Sequence, residues 1–513
     1  MFVSINLTKH ITMERDELLM NPNLLVQHLE KPASEFTKAD IIKFVEDHAI
    51  EMINFRYVGG DGRLKALNFY IRSKAHLDSI LSTGERVDGS SLFSYVESGS
   101  SDLYVIPKYR TAFYNPFTEI PTLDILCSYY DKDGNRLASS PENIMIKALE
   151  ELYKNTGYKM DVMGELEYYI ISDETEIYKA TDQKGYHETS PFAKWGEFRA
   201  EAMQAISQAG GVIKYGHSEV GNFTLDGKTY EQNEIEFTTT NMEEAAEQLI
   251  IAKWMIRMLG YKYGVNVSFA PKIIAGKAGS GLHIHMKLTK DGKTATVENG
   301  QLSDAAKKAI AGILDIAPSL SAFGNTIPTS FLRLVPHQEA PTNICWGDRN
   351  RSVLIRVPLG WLGNCNMVTD ANPKECPCKN DFSEKQTFEF RCPDGSADIY
   401  LLLAGLAVGA RHGLEMKNSL EMAKELYVNV NIFKDEHKHI QEKLKKLPLS
   451  CWEAAESLLK QGEVYKKYGV FSDGVLEQVA NNLKKHNDNG LSEKLYGNNT
   501  EILKLVEKHL HCC

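Results

Sequence analysis

The chain has 513 residues, of which 43% are hydrophobic and 25% charged, and it carries a formal net charge of −10. That balance excludes wholesale disorder and a generally basic surface for nucleic acid or anionic membrane, while the length predicts two or more domains around a sizeable core. Nine cysteines, behind a start without the basic lead and apolar run of a secretory signal, point to free thiols in a cytoplasmic protein rather than a disulfide framework.

Residues 1–36 read as an N-terminal extension with one short apolar run, Asn23-Leu24-Leu25-Val26. Apolar spacing predicts a helix from Ala39 to His48, then two strands between Ala49 and Ile71 around the turn Gly59-Gly60-Asp61-Gly62. Strands at 103–107 and 123–130 and a turn at Asp131–Asn135 precede a helix over 141–156. These elements place a first α+β domain at 37–140, a larger domain at 141–485 and a C-terminal extension at 486–513. In the larger domain the pattern predicts a strand at 161–171, a helix at 196–209, strands at 210–216 and 232–240, and a helix from Met242 to Tyr263. Beyond a strand with alternate histidines come a helix near 303–315, arginine-rich extended segments between 330 and 358, a strand at 387–392 and a buried helix at 399–415. The lysine-rich run 434–447 is expected to form exposed helices.

The chemistry concentrates on alternating strand positions. Glu165 and Glu167, Glu234 and Glu236, His283 and His285, and Glu389 with Arg391 each share one strand face, and Glu219 lies close behind His217. Taken singly, each pair also fits a solvated sheet edge. Together they supply oxygen and imidazole ligands in numbers that suit paired magnesium or manganese ions, which serve phosphoryl transfer. Arg333, Arg349, Arg351, Arg356 and Arg391 can grip carboxylate or phosphate, or pair with the glutamates. Neither GxxxxGK[ST] nor a GxGxxG after a first strand is present, so another phosphate grip is needed. Cys365, Cys376 and Cys378 lack CxxC pairing, which favours loop cysteines over a zinc site.

In order along the chain, VDGSS at 87–91, GELEYY at 164–169, HSEV at 217–220, QNEIEF at 232–237, FAPK at 269–272 and GSGLHIHM at 279–286 resemble the motifs of glutamine synthetase, in its class I bacterial and archaeal form. RLVPHQEAP at 333–341, RNRSVLIRVP at 349–358 and FEFRCPDGSAD at 388–398 continue the resemblance, which covers residues 40 to 485. It implies an N-terminal β-grasp domain and a larger catalytic domain with a curved antiparallel sheet flanked by helices. It also implies that Glu167, Glu219 and Glu234 hold one metal ion and Glu165, His283 and Glu389 another. Gly279, Arg333 and Arg391 would bind glutamate; Arg351, Arg356 and His285 would face ATP. Asp88 would reach a neighbouring subunit's site and, with Tyr186, bind ammonium, while Glu339 would sit on a covering loop. The implied reaction is ATP-dependent ligation of ammonia to glutamate in a homo-oligomer of six-membered rings stacked in pairs. Alternatives are a γ-glutamyl ligase acting on an amine or polyamine, and a catalytically quiet regulatory member. Departures from the family pattern are Ala278 for an asparagine, Lys214 for a glutamate, Lys287 for a serine, and Lys385 in a shifted register beside Glu384.

Overall fold

A computed structural model of the protein describes residues 15–93, 101–334, 340–360, 367–377, 383–495 and 497–512. Two short helices, α1 (Arg15–Met20) and α2 (Leu24–Leu29), open it. Leu18, Leu25 and Val26 pack into the same apolar cluster as Ile53 and Phe55, so α1 and α2 are docked on the first domain. Helix α3 (Lys38–Asp47) starts at a capping box: Thr37 N–H donates to Asp40 at 2.7 Å, and the Thr37 hydroxyl accepts from Asp40 N–H at 3.4 Å. Strands β1 (Met52–Val58) and β2 (Leu64–Tyr70) form the expected hairpin. Helix α4 (Lys74–Thr83), β3 (Glu85–Asp88), β4 (Asp102–Pro107), β5 (Phe113–Tyr114) and β6 (Thr122–Tyr130) complete a sheet of order β2-β1-β6-β4-β3, in which β1 and β6 run parallel.

The larger domain begins with α5 (Pro141–Thr156), which ends at Gly157 in the left-handed region with φ 75°. Strand β7 (Lys159–Asp173) follows, then α6 (Gly196–Gln208) and a hairpin of β8 (Ile213–Leu225) and β9 (Lys228–Phe237). Helix α7 (Met242–Tyr263), capped by Asn241, occupies the residues its periodicity predicts. Strands β10 (Asn266–Ser268) and β11 (Leu282–Lys290), helices α8 (Asp304–Asp315) and α9 (Ala317–Gly324), and strands β12 (Trp346–Asp348), β13 (Ile355–Val357) and β14 (Phe388–Phe390) come next. The helices α10 (Ile399–Glu415), α11 (Cys451–Lys460), α12 (Asp473–Lys484) and α13 (Asn499–His509) close the chain. Among the described residues a ten-stranded sheet runs β12-β13-β14-β11-β7-β9-β8, with β10 and the two-residue strand Thr240–Asn241 on β7 and the two-residue strand Lys293–Thr294 on β11.

The pleat sorts this sheet into an apolar and a polar face. Val162, Leu166, Tyr168 and Ile170 of β7, with Leu282, Ile284, Met286 and Leu288 of β11, are buried in the main core. Gly164 lets α7 close on β7: a Cβ there would stand 2.8 Å from Leu249 Cδ2. The intervening residues Glu165, Glu167, His283 and His285 turn to the other face.

Three expectations need correction. The sheet is mixed, since β12 and β13 pair parallel. The segment 330–358 contains a helical turn, Ser330–Arg333, besides its two short strands. The run 434–447 yields only a 3-10 turn at Asp435–His437 and the short helix Lys438–Gln441, because its few apolar residues cannot bury a continuous stripe. Among the described residues no helix is long and apolar enough to cross a membrane. Cys127, Cys345, Cys392 and Cys451 are free and buried, Cys512 is buried, and Cys376 is free and exposed; Cys365, Cys378 and Cys513 fall outside the described residues.

Charged pairs join the two domains. Lys108 of the first domain is held between Glu142 and Glu247 of the second, Arg110 meets Glu243 and Glu247 at 2.7 Å, and Arg56 stands 4.4 Å over the Trp254 ring.

Candidate active site

The polar face of the large sheet floors a cavity of about 1040 Å³. Register across the strands sets its chemistry. Glu165 lies opposite Glu236 and Glu167 opposite Glu234 between β7 and β9; His283 lies opposite Glu165 between β11 and β7. Further out, His285 and Arg356 both lie opposite Glu389, and His217 lies opposite Glu234. Like charges directly opposed on a sheet repel, so two facing carboxylate pairs require cations between or beside them.

Glu165 is the hub on one side. Its two oxygens meet His283 Nδ1 and His285 Nε2, each at 2.8 Å. His283 Nδ1 also stands 3.3 Å from Glu389, whose other neighbours are Arg356 and Arg391 at 3.0 Å. Burial pushes the Glu165 carboxyl up, but His285 and His283 outweigh it and hold it well below the ordinary range. Burial and the charge of Glu165 push Glu389 up as well, yet Arg391 and His285 bring it below the ordinary value. For His285, burial disfavours the cation and Glu165 more than restores it.

On the other side burial prevails. Burial raises Glu167 to about 7, with Glu219 adding to it and His283 opposing. Burial also raises Glu234 well above the ordinary value, reinforced by the charges of Glu165, Glu167 and Glu219. Glu167 accepts from Gly281 N–H at 2.7 Å and from Gln232 at 3.0 Å, and His217 is 3.8 Å from both Glu219 and Glu234. The ligand atoms of His217, Glu219 and Glu234 converge within 4.8 Å of one another, as do those of Glu165, His285 and Glu389 and those of Glu165, Glu234 and Glu236. Buried oxygens gathered in this way, with Glu167 and Glu234 raised chiefly by burial, fit hard divalent cations.

Both histidines reach Glu165 at 2.8 Å, but His285 stands 4.0 Å from Glu389 where His283 stands at 3.3 Å. Residues two apart on β11 share a face, and Glu165, reaching up from β7, touches both rings. Two participants were not assigned from the sequence, His217 and Glu236. Their signal was the alternation itself, His217 with Glu219 and Glu234 with Glu236, but only register shows which of these face a partner.

Arg333, Gly279, Arg351, Arg356, Arg391 and Tyr186 all line the cavity. Arg333 donates to the Cys392 carbonyl at 2.9 Å and lies 3.4 Å from His283 Nε2. Glycine is required beside it, because a Cβ at Gly281 would stand 2.5 Å from Arg333 Nη2 and one at Gly279 2.5 Å from the Pro271 carbonyl. Arg391 also donates to the Arg351 carbonyl. Tyr186 is 51% exposed at the rim. Asp88 is exposed on the first domain and is not among the lining residues; hydrogen bonds from Ser91 and Ser90 hold its carboxyl at about 2. Glu339 lies outside the described residues.

The family departures have defined partners. Lys214 pairs with Glu236, and Lys287 stands 3.4 Å from Glu384, which also accepts from Thr294 N–H at 2.9 Å. Lys385, not Glu384, lines the cavity. Ala278 takes part through its backbone, donating to Gln183 at 2.7 Å and accepting from the Tyr169 hydroxyl at 2.8 Å.

The family model of the glutamine synthetase catalytic domain matches residues 138–494, and that of the glutamine synthetase beta-grasp domain residues 49–132. The glutamine synthetase of Mycolicibacterium smegmatis is 29% identical over 484 residues, covering 86% of this chain and 94% of that protein. The glutamine synthetase of Nostoc sp. is 29% identical over 490 residues, covering 88% and 96%. Among solved structures, Plasmodium falciparum glutamine synthetase superposes with a TM-score of 0.70 at 19% identity, covering 89% of this chain and 96% of that one. Apo GmaS superposes at 0.69 with 17% identity, covering 88% and 97%. The fold is thus the expected α+β arrangement of an N-terminal β-grasp domain and a larger catalytic domain with a curled, mixed sheet flanked by helices.

Proposed function

A chain that both domain models match belongs to the glutamine synthetase family, and from that premise we propose that it ligates ammonia to the side-chain carboxylate of L-glutamate, consuming ATP, in the cytoplasm. The observation that carries this is the pair of opposed carboxylates, Glu165 with Glu236 and Glu167 with Glu234, in one cavity with Arg333, Arg351, Arg356 and Arg391. Glu167, Glu219 and Glu234 would hold one magnesium or manganese ion and Glu165, His283 and Glu389 another, with His217, His285 and Glu236 beside them. Such ions, when bound, neutralise phosphoryl oxygens and align the groups in transfer.

Arg333, Arg391 and Gly279 seat glutamate, while Arg351, Arg356 and His285 face the phosphates of ATP. A glutamate carboxylate oxygen attacks the γ-phosphorus, the bond from that phosphorus to the ADP oxygen breaks, and γ-glutamyl phosphate remains. Asp88 of a neighbouring subunit and Tyr186 bind ammonium, which gives one proton to Asp88; the nitrogen then attacks the acyl carbon and gives a second proton to Glu339 as phosphate departs. Asp88, exposed and outside its own chain's cavity, supports a homo-oligomer with shared sites, for which stacked six-membered rings are the proposed form. Glu339 would cover the site, which matters because water hydrolyses an acyl phosphate.

Purified protein given Mg²⁺, ATP, glutamate and ammonium should release phosphate only when all are present, and a flat response to ammonium rejects the proposal. An acceptor panel completes the test. Faster turnover with methylamine or a polyamine than with ammonium would replace the ammonia ligase by a γ-glutamyl amine ligase, and failure to bind ATP with Mg²⁺ would indicate a quiet member.

A further inference from the structure

Helix α13 begins at Asn499, past residue 494 where the match to the catalytic-domain model ends. It places Ile502 and Val506 in one buried cluster with Tyr169, Ala270 and Ile273, apart from the main core. Tyr169 projects from the same face of β7 as Glu165 and Glu167. Its phenol passes Gly221 so closely that a Cβ there would stand 1.9 Å from the hydroxyl. The hydroxyl donates to the Ala278 carbonyl at 2.8 Å. The segment this bond holds is the one running past the arginine: Gly279 accepts from Gln232 at 2.9 Å and Gly281 donates to Glu167 at 2.7 Å.

The chain beyond α13 is tied down on both domains. Ser268 donates to the Leu510 carbonyl at 2.6 Å, Arg257 to that of Cys512 at 2.7 Å, and Arg63, from the first domain, to that of His511 at 2.9 Å. A helix anchored at its far end and apolar on its inner face limits how Tyr169 can tilt, and through one hydrogen bond it limits where residues 278–281 can lie.

We propose that the C-terminal helix is a positioning element for the substrate strand, acting through Tyr169 to fix the backbone that seats glutamate. This rests on the assignment of Gly279 and Arg333 to glutamate. The test uses full-length protein with Ile502→Ala and Val506→Ala together, Tyr169→Phe alone, and the conservative pair Ile502→Val and Val506→Ile. Steady-state kinetics and hydrogen exchange of residues 278–285 are read in parallel. The alanine pair and Tyr169→Phe should raise the glutamate KM roughly tenfold while the ATP KM and kcat stay within about twofold, exchange at 278–285 should quicken, and the conservative pair should behave as wild type. An unchanged glutamate KM with unchanged exchange overturns the proposal, as does an equal rise in both KM values, which marks general destabilisation. Wild-type protein that does not saturate with glutamate would instead refute the assignment of the substrate, and the exchange of 278–285 would then decide the positioning role by itself.

Discussion

Removing divalent metal should destabilise the protein in alkali far more than in acid. Glu167 rises from the ordinary 4.5 to about 7 because burial outweighs the lowering by His283 and Arg333. At ~1.4 kcal/mol per pH unit, that rise represents about 3 kcal/mol. The sign follows from proton counts: between pH 4.5 and 7 the folded metal-free protein holds a proton that the unfolded chain releases. This carboxyl's contribution is therefore complete below pH 4.5 and lost as the pH climbs through 7. Glu234, raised by burial and by the charge of Glu165, acts in the same direction. A divalent cation displaces these protons and supplies the missing charge, so its stabilisation must grow with pH. Thermal unfolding with MgCl2 or with EDTA at pH 5.5, 7 and 8.5 should show a gap that widens by a few degrees across the series. Calorimetric titration of Mg²⁺ near pH 6, in buffers of different ionisation enthalpy, should show release of about one proton or more per site. A gap that is constant or widest at pH 5.5, or metal binding without proton release, would refute the reasoning.

Lys214→Met takes the ammonium away from Glu236 and should tighten Mg²⁺ binding by calorimetry; an unaltered affinity counts against Lys214 as the counter-ion of that cluster. Gly281→Ala drives a methyl against Arg333 and His283, so the glutamate KM should rise by roughly tenfold with native circular dichroism. Lys108→Met leaves Glu142 and Glu247 buried without their shared cation, and denaturant unfolding should report a loss of about 3–5 kcal/mol. Equal mixtures of Asp88→Ala and Glu165→Ala subunits, each inactive alone, should recover about a quarter of wild-type activity if sites are shared around a ring; no recovery after verified subunit exchange argues for self-contained sites.

Much of the fold is legible because local rules and packing agree. Asn241 caps α7, Gly264 ends it, and the apolar pattern between them needs no distant information. The strand of Glu165 and Glu167 reads as a strand because its apolar residues alternate with residues of another kind, and the same alternation marks the polar face as chemical. The lysine-rich run 434–447 misleads for a related reason: strong helix formers are present, but helicity in a folded protein comes mainly from a buried stripe, which this run lacks. The C-terminal extension had no reading beyond a boundary. Its value lies in Ile502 and Val506 joining one buried cluster with Tyr169, across more than 300 residues of chain, which no local pattern announces.

Taken alone, the sequence determined the kinds of atoms available: carboxylates and imidazoles on one face of each strand, guanidinium groups on the segments that follow, and glycines where the chain must pass closely. Only the tertiary structure decided which of them oppose one another. Register pairs Glu236 with Glu165, Glu165 with His283, and His285 with Glu389, and it draws His217 and Glu236 into a set from which they were missing. The physical reason is that strand pairing is set by long-range burial of the apolar face. The polar face inherits whatever alignment that burial imposes. His285 shows the consequence, since its place beside Glu165 follows from the packing of Ile284 and Met286 on the far side of the same sheet.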